Sequence, residues 1–253
     1  MRTTPLIDIE LFSARDRPEL IAPAEALGAS LWPNYLSTES SRAFWGKLYD
    51  EPLARFQTVA VDRATGHVIA LANSIPFVWP TSDELPHEGW DWVLAVGVHA
   101  LTRHQRSDCL SALSVAIAPD WRGKGIAGMM LTAMKSVARA EGLTAMVAPV
   151  RPTLKHLYPL HDFATYSGWR NSDGSPFDPW LRTHVEMGAT FLQPALRSMT
   201  VRASPEQWTC WTGLRFPASG QYWLPSGLSS LQIDLERGSG TYEEPNFWMR
   251  HPL

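Results

Sequence analysis

A chain of 253 residues that is 45% apolar and 19% charged can bury a full core as one large or two small domains, and nothing in its composition suggests disorder. A net charge of -3 and a pI near 6.2 argue against nucleic acid as a partner, because phosphate binding along a duplex needs a broad basic face. Two distant cysteines, Cys109 and Cys210, predict reduced thiols in a cytoplasmic protein with no metal site, and no apolar stretch has the length of a signal sequence or a membrane span.

Alternation from Leu6 to Phe12, with Ile7, Ile9 and Leu11 against Asp8 and Glu10, predicts a half-exposed first strand. Asp16, with Glu19 three residues on, reads as the cap of a helix whose buried face carries Leu20, Ala24, Leu27 and Leu31, and Trp32-Pro33 ends it. A second helix, over 38–50, buries Phe44, Trp45, Leu48 and Tyr49. Arg55 to Val61 and His67 to Phe77 read as strands joined through Asp62 to Gly66, a hairpin signal. An acidic, proline-bearing loop over 81–89 then leads into a helix in which Trp90, Val93, Leu94, Gly97, Val98 and Leu101 share one face.

Leu110 to Ala118 is a short apolar run stopped by Pro119-Asp120, as expected of a buried strand. Beyond a loop, Ile126, Met130, Ala133, Val137 and Ala140 recur at helical spacing, and Gly142 closes that helix. At the junction, Gly123 and Gly125 let successive amides converge where a helix presents its unpaired N–H groups and the positive end of its dipole. Such a place binds phosphate, and Arg122 and Lys124 add charge beside it. A nucleotide triphosphatase loop would need Ser or Thr after Gly-Lys, and the dinucleotide fingerprint lacks its first glycine, so both are rejected.

Thr144 to Val150 is a further strand. Asp178-Pro179, an N-cap followed by the proline favoured at the first helical position, opens a helix that ends in Glu186-Met187-Gly188-Ala189. Ser198 to Ala203 reads as a strand, and Ser204-Pro205-Glu206-Gln207 as a capping box opening a short helix with Trp208 and Trp211. Gln221 to Leu224 is an extra strand and Leu231 to Leu235 the last one. The exposed-looking ending Glu243 to Trp248 either packs back or forms a homodimer contact. No Gly-, Ser- or Pro-rich linker divides the chain, so residues 1–253 are expected to form a single domain.

Arg122, Gly125 and Ala127 resemble motif A of the GNAT superfamily of acyl-CoA-dependent N-acyltransferases: Arg or Gln, two residues, Gly, one residue, then Gly or Ala. The match follows a strand ending in Val115-Ala116-Ile117-Ala118-Pro119 and opens a long amphipathic helix, the order the family requires. The resemblance implies an α/β (α+β) fold with a mixed, mostly antiparallel central sheet flanked by helices. Relative to that pattern, insertions fall before the central strand and after the fifth strand. It also implies acetyl-CoA or another acyl-CoA as co-substrate. Its pyrophosphate would lie on Arg122, Gly123, Lys124, Gly125, Ile126 and Ala127, and its pantetheine along Ile117 and Ala118.

The family's acceptor lies beside the loop between the first two helices, so Trp32 and Tyr35 are the expected contacts for a small-molecule amine, with Trp45 assigned to the core. A tyrosine commonly protonates the departing thiolate. In one register this is Tyr158, with Arg151 where asparagine is usual. In the other it is His184, and both remain open. The central strand carries no Asp or Glu to act as base; Glu84, His87, Glu88 and Asp91 are substitutes, each equally read as solvated surface charge. The expected activity is N-acetyl transfer, with a non-catalytic acyl-CoA-binding module or an acyl-CoA hydrolase as alternatives.

Overall fold

Nine strands share one mixed sheet in the order β1-β2-β3-β4-β5-β9-β8-β7, with β6 also paired to β9, in a computed structural model that describes residues 8–37, 43–80 and 84–253. The start of the first expected strand, residues 38–42 of the second expected helix and part of the acidic loop lie outside the described residues, and the second helix ends in a 3-10 turn, Gly46–Tyr49. Strands β1 (Ile9–Ser13), β2 (Thr58–Asp62), β3 (Val68–Phe77) and β4 (Cys109–Ile117) run antiparallel in sequence. Strand β5 (Ala145–Val150) joins β4 in parallel, and β9 (Ser239–His251) lies antiparallel to β5. One edge of β9 carries β6 (Thr190–Ala203). The other is shared between β5 and β8 (Ser230–Asp234), with β7 (Gly220–Trp223) outermost. The expected mixed, mostly antiparallel sheet flanked by helices is what forms.

Side-chain alternation along β3 sorts the helices onto two faces. Leu71 points to the first, where Ala24 of α1 (Ile21–Leu31) packs with Val59, Val61 and Ala116. On the same face α2 (Gly89–Thr102) crosses β3 so closely that a Cβ on Gly97 would lie 2.6 Å from Ile75. Ala70 and Ala72 point to the second face, beneath Ile126, Met130, Leu131 and Met134 of α3 (Ile126–Ala140). Each of those side chains, fully buried, contributes about 2 kcal/mol of transfer free energy. Two short helices follow, α4 (Phe163–Ser167) and α5 (Pro179–Glu186). Lys135 of α3 donates to the Met187 carbonyl at the end of α5, 2.8 Å away, so α5 lies beside α3. Helix α6 (Pro205–Thr212) opens on Ser204, whose hydroxyl accepts from Gln207 N–H at 3.3 Å as the capping box requires.

Three local expectations change. Asp16 does not cap α1; it accepts from the Ser13 hydroxyl at 2.6 Å, and α1 begins only after a 3-10 turn at Pro18–Leu20. The stretch expected as strand from Arg55 starts with another 3-10 turn, Leu53–Phe56. The ending Glu243 to Trp248 lies inside β9, which follows β8 and is the last strand. Its polarity reads as exposure, but the polar groups are paired internally: Glu244 binds Arg151, and Asn246 donates to the Pro149 carbonyl at 3.0 Å. Among the described residues no helix is long and apolar enough to cross a membrane.

The segment between β5 and α5 is organised by Asp178. Its carboxylate caps α5 by accepting from Trp180 N–H at 3.0 Å and Leu181 N–H at 3.2 Å. It also takes Leu154 N–H at 2.9 Å and the Tyr166 hydroxyl at 2.7 Å, all while buried. Replacing Asp178 with Ala strands these donors, and the expected loss is about 3 kcal/mol, or roughly 6 to 12 °C of Tm by calorimetry, with Asp178→Asn less affected.

Beneath α5, His184 Nδ1 lies 2.8 Å from His251 Nε2, and both rings are buried. Burial, then the neighbouring His251 and Lys135, lower the His184 pKa well below its ordinary value; burial and Lys135 bring His251 down to about 4. Both are therefore neutral in the fold, while the unfolded chain takes up these protons near pH 6.5. Stability present above that pH should drain as pH falls towards 4. Thermal melts across that range should show the decline, and His251→Leu should make it shallower.

Candidate active site

The geometry of the site begins where β4 and β5 part. They pair only between Cys109–Ser111 and Ala145–Val147. On the β3 side, Asn73 faces Ser114 while Ser74 faces Ala112, so Leu113 is an extra residue in β4. Such a bulge bends a strand and raises its twist, and Pro149 in β5 has no amide with which to hold it. Beyond Ser111 one edge of β4 is left without β5. Ala118 gives its N–H to Ile69 on the β3 side at 2.9 Å. Alternation then turns the main chain of Ile117 to the open edge, where Arg122 Nε reaches its carbonyl at 3.3 Å.

The strand runs directly into the glycine loop. Gly123 and Gly125 adopt φ of +72° and +78°, and a Cβ on either would meet nothing within 4 Å. Backbone conformation, not crowding, is what requires glycine there, and the space above the loop is open. Gly125 is the N-cap of α3, buried Ile126 anchors the first turn, and residues 122–125 are exposed. The first amides of α3 have no acceptor within the helix. Lys124 Nζ rests 4.8 Å from the Trp121 ring centre. Arg122, Gly123, Lys124, Gly125, Ile126 and Ala127 thus gather at one positive helix end, with Ile117 and Ala118 immediately before it. That arrangement suits a diphosphate followed by an extended arm.

On the opposite face of the sheet, a polar and aromatic group lies over the bulge. Trp90 of α2 donates its indole N–H to the Leu113 carbonyl at 3.0 Å and stacks on Trp45 with centroids 5.7 Å apart. Asn73 donates to Tyr49 Oη at 3.0 Å and to Gln57 at 3.2 Å, and accepts from the Ser114 hydroxyl at 3.0 Å. Burial pushes the Tyr49 phenol well above its ordinary pKa. Glu25 of α1 is bound by the Trp45 side chain; loss of water raises its pKa, which that bond partly opposes. The sequence marks Tyr49 only as core and gives no sign of Glu25 or Asn73, since a single carboxylate on the polar side of a helix carries no periodic or motif signal.

The expected acceptor contacts separate. Trp32 is 36% exposed, with the Arg151 guanidinium 5.8 Å from its ring centre. Tyr35 is only 3% exposed, donates to the Pro225 carbonyl at 3.0 Å, and packs against Trp208 and Tyr242. It belongs to a core cluster, because the C-terminal strands fold over the loop that was expected to be open.

The two candidate acids separate as well. Tyr158 follows a 3-10 turn rather than lying in a helix, and its ring sits among Tyr166, Trp169 and Phe177 with centroids from 4.9 Å. His184 lies on α5, in the same layer as the glycine loop. Its Nε2 is buried without a hydrogen-bond partner. Three of the four substitute bases, Glu88, His87 and Asp91, are engaged by β6. Glu88 pairs with Arg197 at 2.6 Å, and His87 Nδ1 accepts from Leu196 N–H at 3.4 Å. Asp91 accepts from Thr200 N–H at 2.8 Å, its pKa pushed up to about 6 by burial.

The Acetyltransferase (GNAT) family model matches residues 25–163. Arginine N-acetyltransferase avaD of Aspergillus versicolor is 32% identical over 276 residues, covering 98% of this chain and 95% of that protein. Among solved structures, the loading GNATL domain of CurA from Lyngbya majuscula is similar with a TM-score of 0.57 at 16% identity, covering 97% of this chain and 98% of that one. The GphF GNAT-like decarboxylase in complex with isobutyryl-CoA gives 0.53 at 16% identity, with the same coverage of 97% and 98%.

Arg151, the residue after β5, reaches the buried Glu244 carboxylate and the Ser226 carbonyl, the latter at 2.6 Å, and Tyr242 also donates to Glu244. Breaking a buried pair from one side leaves a charge without compensation. Glu244→Gln should therefore cost about 3 kcal/mol in urea unfolding, and the double change Arg151→Met with Glu244→Leu less than that.

Proposed function

The chain belongs to the GNAT family and is an acetyl-CoA-dependent N-acetyltransferase, and we propose that its acceptor is arginine or a close guanidino relative with a free amine. The observation that carries this is 32% identity to an arginine N-acetyltransferase along 98% of the chain.

In this proposal the amides of residues 123–127 and the charges of Arg122 and Lys124 hold the pyrophosphate of acetyl-CoA. The open edge of β4 at Ile117 takes the pantetheine arm, as an added strand would, and Ala118 keeps that edge in place through its bond to Ile69. The thioester then lies at the Leu113 bulge, between the layer of α3 and α5 and the face of α1 and α2. The amine approaches from the second of these, past Trp32, which stays exposed; Tyr35 supports that wall from the core. Holding the two reactants in register supplies several kcal/mol of the barrier.

His184 is favoured over Tyr158 as the group that meets the departing sulfur. It lies on the helix beside α3 and its Nε2 has no hydrogen-bond partner, while the Tyr158 ring packs in its own aromatic cluster. With His184 Nδ1 accepting from His251, Nε2–H is a neutral hydrogen-bond donor that steadies the thiolate until water protonates it. The free thiols of Cys109 and Cys210 support a cytoplasmic setting.

Release of CoA thiol should be measured with arginine, agmatine, lysine and no amine, and the products weighed by mass spectrometry. Arginine-dependent release is expected. Release without amine would instead indicate a hydrolase, and binding of acetyl-CoA without release a sensing module. Arg122→Ala with Lys124→Ala should weaken acetyl-CoA binding about tenfold, which is about 1.4 kcal/mol. His184→Ala should lower kcat on the order of 100-fold while Tyr158→Phe changes it little.

A further inference from the structure

We propose that Glu25 takes the proton from the acceptor's ammonium group, the role for which the central strand provides no carboxylate. The proposal rests on the reading above that an amine meets the thioester at the Leu113 bulge.

Three elements lead from Glu25 to that bulge. The carboxylate is bound by the Trp45 side chain, Trp45 stacks on Trp90 of α2, and the Trp90 indole is fixed to the Leu113 carbonyl. Its neighbour Ala24 is wholly buried in the cluster that contains Ala116 of β4, so the helix sits directly on the strand that would carry the reacting carbonyl. Helix α1 has no other ionisable residue. From the elements packed against it come Trp45, the Tyr49 phenol and the uncharged Asn73 and Ser114; residues 38–42 lie outside the described residues. Three other carboxylates are engaged elsewhere, Asp91 and Glu88 by β6 and Glu244 by Arg151. Glu25 is thus a surface-exposed carboxylate, held by one indole, that has lost enough water to bind a proton more readily than an ordinary one.

The step balances without another reactant. The ammonium gives one proton to the Glu25 carboxylate, and the amine's lone pair then forms the new C–N bond at the thioester carbonyl. The C–S bond breaks while the departing thiolate accepts a hydrogen bond from the neutral His184 Nε2–H, the second proton lost from nitrogen passes to water, and water protonates the thiolate as CoA leaves. Glu25 releases its proton to water once the product has left.

The test compares the wild type with Glu25→Gln, Glu25→Asp and Trp45→Phe, using acetyl-CoA and arginine across pH 5 to 9. The wild-type kcat/KM should rise with pH through a limb above the ordinary carboxylate range. Glu25→Gln should lose that limb and about 100-fold in kcat, with unchanged Tm and acetyl-CoA affinity. Glu25→Asp should recover part of the rate. Trp45→Phe removes a bond to the charged form and should move the limb to higher pH. The proposal is overturned if Glu25→Gln keeps kcat within threefold and the same pH limb, or if it raises only the KM for arginine, which would make Glu25 a binding residue. A wild type that transfers to no amine would bring down the functional reading as well, whereas turnover indifferent to Glu25→Gln would bring down this one alone.

Discussion

The separation of β4 from β5 after Ser111 is the constraint on which the rest of the molecule depends. In a sheet otherwise fully paired through this region, it leaves one strand edge unused in the interior, and unpaired main-chain groups there are costly unless something binds them. The bulge at Leu113 and the proline at 149 maintain the gap from its two sides. Everything that surrounds it serves either to bring a ligand to that edge or to keep the edge from closing.

The second half of the chain performs the latter task. Strand β9 reaches from β8 and β7 to β5, and its pairing holds Ala148 to Val150 away from β4. Asp178 fixes the start of α5, so that the helix lies beside α3 on the far face of the same gap. Arg151, at the end of β5, is tied by Glu244 to the C-terminal strands and approaches Trp32 at the end of α1. The first and last parts of the chain thus meet at the mouth of the gap, and the C-terminal third is as much part of the site's frame as the glycine loop is.

Legibility in the sequence followed the range of the interactions. The loop from Arg122 to Ala127, the strand before it and the helix after it rest on local rules: a terminator, two positive-φ glycines and a 3.6-residue period. Caps at Asp178 and Ser204 were legible for the same reason. Long-range pairing was not. Glu243 to Trp248 has the polarity of a surface ending, and nothing nearby indicates that Arg151 and Pro149, nearly a hundred residues earlier, receive its polar groups. Tyr35 reads as a loop residue because its loop is legible in the sequence and the strands that cover it are not. Glu25 carries no signal at all along the chain; only the stacking of Trp45 on Trp90 gives it a place.

The sheet also separates the two proton-handling groups proposed here. Glu25 lies with α1 and α2 on one face, His184 with α3 and α5 on the other, and the reacting carbon would sit at the bulge between them. A base and an acid on the same side would neutralise one another through a direct hydrogen bond, fixing the proton where neither could use it. Placed on opposite faces, each meets a different atom of the same carbonyl group's substituents, nitrogen arriving on one side and sulfur leaving on the other. Their environments differ accordingly: partial loss of water leaves Glu25 a carboxylate with raised affinity for a proton, while full burial keeps His184 neutral, a donor that carries no charge into the interior. The strand that parts from its neighbour therefore does more than admit a ligand, since the same opening gives a group on one face a route to a group on the other.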